Sequence, residues 1–226
     1  MGIGENINEI YKKMKTAALK ADRNIDDVKL VAVTKTKPIN VISEAVNVGM
    51  TELGENRVQE LLEKYDHVSN VNWHIIGHLQ KNKVKYIIDK VALIHSVDSL
   101  ELAKEINKRA MEINKVQDIL IQVNISGEDS KFGIMASEVE TLCRQISLLK
   151  NVKVLGLMTI SVKDIGINGN KKIFSELKKL ADSIKSLSIP NIAMEELSMG
   201  MTHDFEEAIE EGATIVRIGT GIFGER

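Results

Sequence analysis

The sequence predicts an α/β fold, a single TIM (β/α)8 barrel with an extra N-terminal helix. Eight short apolar, strand-like runs alternate with helical stretches at intervals of about 25 residues, the pattern of parallel βαβ units. No Pro/Gly/Ser-rich linker divides the 226 residues, so we expect one domain spanning 1–226. An open, doubly wound sheet is the alternative, although no GxGxxG sequence follows the first strand.

The elements follow from hydrophobic periodicity. An amphipathic helix over 3–21 comes first, because apolar residues recur there at helical spacing among charges. The first strand, 30–34, is an unbroken apolar run typical of a strand buried on both faces. The same criteria predict further strands over 51–54, 73–76, 92–97, 119–125, 152–159, 193–197 and 214–218. The intervening helices are predicted over 38–49, 57–66, 80–88, 99–115, 136–149, 171–187 and 203–211.

Composition excludes several function classes. The net charge is -2 and both signs are mixed along the chain, so we expect neither nucleic acid nor a membrane surface as a partner. No apolar run approaches the ~18 residues of a membrane span, and the N-terminus lacks a signal sequence, so we expect a cytoplasmic protein. The single cysteine, Cys143, lies at helical spacing among apolar residues and is expected in the core. The five histidines show no ligand spacing, so no metal site is expected.

Lys35 stands directly after the first strand, on the face of Val31 and Val33 if the strand alternation continues. Two interpretations stay open from this stretch. Lys35 begins a solvated loop with its ammonium group in water. Alternatively, desolvation lowers the pKa of its amine, which then forms a Schiff base with a carbonyl compound.

The loops after the seventh and eighth strands predict an anion site. Barrels commonly bind a phosphate there, and the sequence places Ser198, Gly219 and Thr220 at these strand ends. Thr202 is expected to cap the helix that follows the seventh strand. Because a barrel closes on itself, these loops become neighbours of Lys35.

A ligand with both an aldehyde and a phosphate would suit such a site. Pyridoxal phosphate (PLP) fits, and so does a phosphorylated sugar carbonyl in an aldolase-like enzyme. Arg217 shares a strand face with Ile215 and Gly219, and could donate a hydrogen bond to a pyridine nitrogen. An ion pair between Arg217 and an acid such as Glu196 is the alternative.

Motifs along the whole chain resemble one known family. They are AVTKTKP (32–38), GENRVQE (54–60), WHIIGHLQKNK (73–83), HSVDS (95–99), QVNISGEDSKFG (122–133), GLMTI (156–160), LSMGMTHDFEEAI (197–209) and VRIGTGIFGER (216–226). Together they are similar to the pyridoxal phosphate homeostasis family, also called YggS/PROSC. Thr202 departs from the family pattern, in which serine is usual before His-Asp-Phe.

The resemblance implies a barrel like the N-terminal domain of alanine racemase, with PLP held on Lys35 as an aldimine. It assigns the phosphate to Ser198, Gly219 and Thr220, the pyridine nitrogen to Arg217, and a further cofactor contact to Asn56. Family members resemble cofactor carriers or regulators rather than proven catalysts, so amino acids and PLP-dependent apo-enzymes are possible partners.

A PLP-dependent racemase is the alternative within this resemblance. Racemisation needs an acid/base group on each face of the substrate, and one lysine serves only one face. Alanine racemases take a second base, a tyrosine, from an additional domain. Here the sequence stops at Arg226, and its tyrosines, 11, 65 and 86, lie in predicted helices. We therefore expect little or no racemase activity.

Overall fold

The computed structural model describes residues 2–128, 132–162 and 165–225. Residues 129–131 of the motif that begins at Gln122, and Arg226, lie outside this description. The strands are β1 (Lys29–Val33), β2 (Glu52–Glu55), β3 (Asn72–Ile75), β4 (Val91–Val97), β5 (Gln117–Asn124), β6 (Ile134–Met135), β7 (Val152–Met158), β8 (Ile192–Ser198) and β9 (Ile215–Ile218). The helices are α1 (Ile3–Lys20), α2 (Ile39–Asn47), α3 (Val58–Tyr65), α4 (Leu100–Glu112), α5 (Val139–Ile146), α6 (Gly166–Ser186), α7 (Phe205–Glu210) and α8 (Thr220–Phe223). Short 3₁₀ helices cover Ile25–Asp27, Lys81–Tyr86 and Ala136–Glu138.

Eight of these strands form a closed parallel barrel, which confirms the predicted fold class. Each strand pairs with its neighbours in chain order, β4 pairs with β5, and β9 pairs with β1 to close the ring. The short β6 lies outside the ring and pairs with the last two residues of β5. Closure brings the loop after β1 next to the loop after β9, as the sequence analysis required.

Two elements of the outer layer differ from a regular repeat. The crossover between β3 and β4, predicted as a helix over 80–88, is the 3₁₀ helix Lys81–Tyr86. The last strand is followed by only one helical turn, α8, and α1 packs against α8, α7 and α2. The buried face of α1, which includes Ile7, Ile10 and Met14, therefore covers the barrel where a long eighth helix would otherwise be needed.

The interior of the barrel is only partly apolar. A small cluster of Val31, Leu93, Leu120, Met158 and Ile215 fills its middle, whereas the large core lies between strands and helices. Other interior positions carry polar side chains, among them His74, His95 and Arg217. They matter for the site below, because a buried polar group must find a hydrogen-bond partner.

Cys143 is a core residue, as expected. It is fully buried on α5, and burial raises the pKa of its thiol to about 12. The thiol therefore stays protonated at physiological pH. Among the described residues, no helix has the length and apolar character that crossing a bilayer requires.

Candidate functional site

A cavity of about 260 Å³ opens at the carboxyl ends of the barrel strands. Five of the six predicted site residues line it: Lys35, Asn56, Arg217, Gly219 and Thr220. They follow or end β1, β2 and β9, so barrel closure assembles the cavity from segments far apart in sequence. Its wall also includes Thr202 and His203 from the loop after β8, and Ile76, Ile160 and Met201 supply apolar surface.

Lys35 lies in a tight turn rather than in the strand itself. β1 ends at Val33, and the Lys37 N–H donates to the Thr34 carbonyl, 3.0 Å away, to close the turn. Val33 and Lys35 nevertheless both line the cavity, so the expected orientation of Lys35 is reached through the turn. Thr36 adopts a positive φ of 63°, which is costly for a β-branched residue. The Glu60 carboxylate stabilises it by accepting the Thr36 N–H at 2.6 Å.

A buried charge network supports this turn from behind. The Lys64 ammonium donates to the Thr34 carbonyl at 2.9 Å, to Glu55 at 2.7 Å and to Glu60 at 3.3 Å. The Thr34 hydroxyl also donates to Glu55, 2.6 Å away. Burial raises the pKa of Glu55, although Lys64 and Thr34 act in the opposite direction. The turn that presents Lys35 is therefore tied to a desolvated ion pair.

Lys37, the neighbouring lysine, is directed elsewhere. Its ammonium donates to the carbonyls of Phe223 and Gly224, each 3.2 Å away, and to that of Glu225 at 3.3 Å. It is not among the residues that line the cavity around Arg217. The amine that this cavity receives from the turn is thus that of Lys35.

Arg217 lies on β9 with its guanidinium group at the floor of the cavity. The side chain is 4% exposed, and it donates to the Ser198 hydroxyl at 2.5 Å and to the Thr159 carbonyl at 3.0 Å. Glu196, considered as its ion-pair partner, instead pairs with Lys29 at 2.5 Å. Burial lowers the pKa of Arg217 to about 10, so the group is still a cation at neutral pH. A buried cation held by neutral acceptors favours an electron-rich ligand beside it.

Ser198 occupies a different position from the one expected of a phosphate ligand. It is fully buried and lies behind Arg217, and it is not among the residues that line the cavity. Its hydroxyl is 2.8 Å from His95 Nδ1 as well as 2.5 Å from Arg217 Nη1. Strand alternation directs it into the barrel interior, where these two groups use its hydrogen-bonding capacity.

Thr202 lies at the cavity wall, where Ser198 was expected. The Thr220 hydroxyl donates to the Thr202 hydroxyl at 3.1 Å, and the Gly221 N–H donates to it at 3.3 Å. Thr202 does not cap α7, because that helix begins at Phe205 and Asp204 is its N-cap residue. The Asp204 carboxylate accepts the Met201 N–H at 2.6 Å and the Ser161 hydroxyl, which shapes the loop carrying Thr202.

The sequence analysis did not predict Thr202 and His203 as cavity residues. It interpreted Thr202 as a helix cap, and the spacing of His203 from the other histidines gave no sign of a ligand site.

Asn56, which the sequence analysis did predict, is held by close backbone contact. A Cβ atom on Gly77 would lie 2.4 Å from the Asn56 carbonyl oxygen, so only glycine allows the two loops to meet. The polar side chains around the cavity are thus an amine, a guanidinium group, an amide, an imidazole and two hydroxyls. This set fits a small ligand bearing an aldehyde and an anionic group.

The fold and this site define the class of protein, a parallel barrel with a lysine at the end of its first strand. The family model described as alanine racemase, N-terminal domain, matches residues 6–226. The chain is 46% identical to the pyridoxal phosphate homeostasis protein of Aquifex aeolicus over 228 residues, covering 100% of this chain and 99% of that protein. It belongs to the pyridoxal phosphate homeostasis protein family.

Solved structures agree with this assignment. PipY of Synechococcus elongatus, solved with PLP bound, matches with a TM-score of 0.86 and 31% identity, over 98% of this chain and 100% of that chain. An alanine racemase of Clostridium difficile matches with a TM-score of 0.78 and 16% identity, over 100% of this chain and 57% of the racemase. The similarity to alanine racemase is a similarity of fold.

Proposed function

We propose that this chain is a PLP-binding protein that holds the cofactor on Lys35 as a Schiff base, and that it buffers or delivers PLP. The observation that carries the proposal is that Lys35, Arg217, Thr202 and Thr220 line the same cavity. Family membership and the PLP-bound PipY structure support the choice of PLP as the ligand.

Each group has a proposed role. Lys35 supplies the amine that would hold the aldehyde carbon of PLP as a Schiff base, with loss of one water molecule, and the apolar wall that includes Val33 would limit the return of water to that bond. Thr202, Thr220 and the Gly219 backbone bind the phosphate, while Asn56 contacts the cofactor from the opposite wall. Because Ser198 lies behind Arg217, we assign it to holding that guanidinium group rather than to the phosphate.

Arg217 would weaken the electron sink that bound PLP supplies. Bound PLP supplies an electron sink, and the strength of that sink depends on a protonated pyridine nitrogen. The Arg217 guanidinium is a permanent donor, so it keeps the pyridine nitrogen unprotonated. Amino acids and PLP-dependent apo-enzymes are the partners that such a carrier would meet.

Titration of cofactor-free protein with PLP tests the proposal. We expect an absorption band shifted from that of free PLP, which saturates at one PLP per chain and which sodium borohydride removes. The aldolase-like alternative predicts a protein that stays colourless with PLP and that borohydride traps only together with a sugar phosphate. The latter result would contradict PLP binding.

The phosphate assignment predicts a selective effect of Thr202→Val, which removes the hydroxyl and keeps the shape. Loss of a hydrogen bond to a charged group should weaken PLP binding about tenfold or more. Affinity for pyridoxal, which lacks the phosphate, should stay unchanged. Fluorescence or absorbance titrations with both vitamers measure this, and Thr141→Val on the exposed face of α5 is the control. Equal losses for both vitamers would remove Thr202 from the phosphate site.

Racemase activity is expected to be absent or very low. None of the described residues lining the cavity is a tyrosine, since Tyr11 lies on α1, Tyr65 on α3 and Tyr86 in a 3₁₀ helix. We expect PLP-loaded protein to convert L-alanine or L-serine no faster than Lys35→Ala, as measured by chiral chromatography. Lys35-dependent turnover that also fell in His203→Ala would instead identify His203, on the cavity wall, as the second base.

A further inference from the structure

Five polar side chains inside the barrel form a continuous chain of hydrogen bonds, which we call the inner chain: Arg217, Ser198, His95, His74 and Glu52. From the cavity floor, Arg217 Nη1 lies 2.5 Å from Ser198 Oγ, and Ser198 Oγ lies 2.8 Å from His95 Nδ1. His95 Nε2 lies 2.8 Å from His74 Nδ1, and His74 Nε2 lies 2.7 Å from Glu52 Oε2. These residues come from β9, β8, β4, β3 and β2, so the chain crosses the barrel from the cavity to the amino-terminal end of β2.

The chemistry of its two ends gives the inner chain a direction. Arginine only donates, so the Ser198 oxygen accepts from Arg217. At the other end, burial raises the pKa of Glu52, but hydrogen bonds from His74 and Asn72, together with the nearby His74 and Lys29, hold that pKa below its usual range. Glu52 is therefore a carboxylate that only accepts, and His74 must donate to it from Nε2.

The middle of the chain then has one fully satisfied arrangement. Burial, followed by the nearby His74 and Arg217, holds the pKa of His95 well below its usual range, so His95 is neutral and carries one N–H. When the only N–H of His74 is the one donated to Glu52, His74 Nδ1 accepts, so the His95 proton lies on Nε2 and is donated to it. His95 Nδ1 accepts the Ser198 hydroxyl proton, and every group donates once toward Glu52.

The opposite arrangement leaves a group without a partner. A second proton on His74 Nδ1 would force His95 to accept at Nε2 and to donate from Nδ1 to Ser198. The Ser198 oxygen would then receive two donors, and its own hydrogen would have no acceptor within the chain. Full hydrogen bonding of Ser198 therefore favours the arrangement in which His95 donates to His74 and the Ser198 hydroxyl donates to His95.

We propose that Glu52, His74 and His95 are positioning residues that act through Ser198 to hold Arg217 in place for the pyridine nitrogen of PLP. Arg217 is anchored at Nη1 by Ser198 and at Nη2 by the Thr159 carbonyl, and it lines the cavity. The inference rests on the proposed function, which places the pyridine nitrogen beside Arg217.

Nitrogen-15 NMR of the histidine rings in cofactor-free protein tests the inner chain without relying on PLP binding. We expect the wild type to show His95, assigned with a His95→Asn variant, with its proton on Nε2 and none on Nδ1. A proton on His95 Nδ1 would overturn the proposal even if PLP binds normally. A failure of PLP binding with the expected tautomer would instead count against the proposed function.

Glu52→Gln tests whether the far end of the chain acts on the site. The matched control is Glu196→Gln. Like Glu52, Glu196 is a partly buried acid, but it pairs with Lys29 and lies outside the inner chain. In Glu52→Gln we expect a changed His95 tautomer signal, PLP affinity weakened about fivefold and a shifted absorption maximum of bound PLP. Glu196→Gln should match the wild type in all three. Unchanged PLP affinity and absorption in Glu52→Gln would overturn the positioning role, whatever the histidine signals show. If the variant does not fold, the position of the His95 proton in the wild type tests the proposal instead.

Discussion

Lys35→Ala is expected to abolish covalent attachment of PLP. Lys35 is the amine that the turn after β1 presents to the cavity, and no Schiff base can form once it is removed. The absorption band of the Schiff base should be absent on PLP addition, which leaves the spectrum of unattached PLP, and borohydride reduction followed by peptide mass mapping should detect no labelled peptide. Arg217, Thr202 and Thr220 remain, so weak noncovalent binding of PLP should persist in the variant.

Lys37→Ala is the matched control for this experiment. Lys37 is two residues away, yet its ammonium group contacts carbonyls of the C-terminal segment, including those of Phe223 and Gly224. This variant should keep the absorption band and the label on the Lys35 peptide. A label that moved to Lys37, or that survived in Lys35→Ala, would show that the turn presents a different amine to the cofactor.

Lys64→Met is expected to cause the largest loss of stability among these variants, about 3–5 kcal/mol in the free energy of unfolding. The substitution leaves Glu55, which is fully buried, without its cationic partner. Urea denaturation of the PLP-free protein measures the effect. The control is Lys12→Met, since Lys12 and Glu9 form a pair that is 75% and 53% exposed and should contribute less than about 1 kcal/mol.

Two further measurements connect this loss to Glu55. Adding Glu55→Gln to Lys64→Met should restore part of the stability, because the uncompensated charge is then gone. The pKa of Glu55 is already raised in the folded chain, so the folded state binds that proton more tightly than the unfolded state. The free-energy cost of burying the Glu55 carboxylate is therefore absent below the pKa of Glu55 in the unfolded chain. It grows as the pH rises through the pKa of Glu55 in the folded chain. The deficit of Lys64→Met should shrink at acid pH, and a deficit independent of pH and of Glu55 would assign the loss to packing of the Lys64 stem.

The supporting network around Lys64 also links stability to the site. The same ammonium group binds the Thr34 carbonyl, one residue before Lys35, and Glu60 holds the strained backbone of Thr36 on the other side. Lysine and glutamate on α3 therefore determine the conformation of the turn after β1. Neither contact could be read from the sequence around Lys35, since the partners come from a later helix.

The sequence by itself determined the barrel and the main features of its site. Alternating apolar runs require strands and helices in turn, and barrel closure then places Lys35 beside Arg217, Gly219 and Thr220. Each of these inferences uses a local pattern, because strand burial and residue order along a strand depend on neighbours in the chain.

Only the tertiary structure decided which polar group bonds to which. It placed Ser198 behind Arg217 and Thr202 at the cavity wall, because Asp204 holds the N-cap position that Thr202 was expected to take. It also joined His74 to His95, which are 21 residues apart on adjacent strands. The physical reason is the same in each case. Hydrogen bonds inside a barrel depend on the register between strands distant in sequence, and that register is set by the packing of the whole ring.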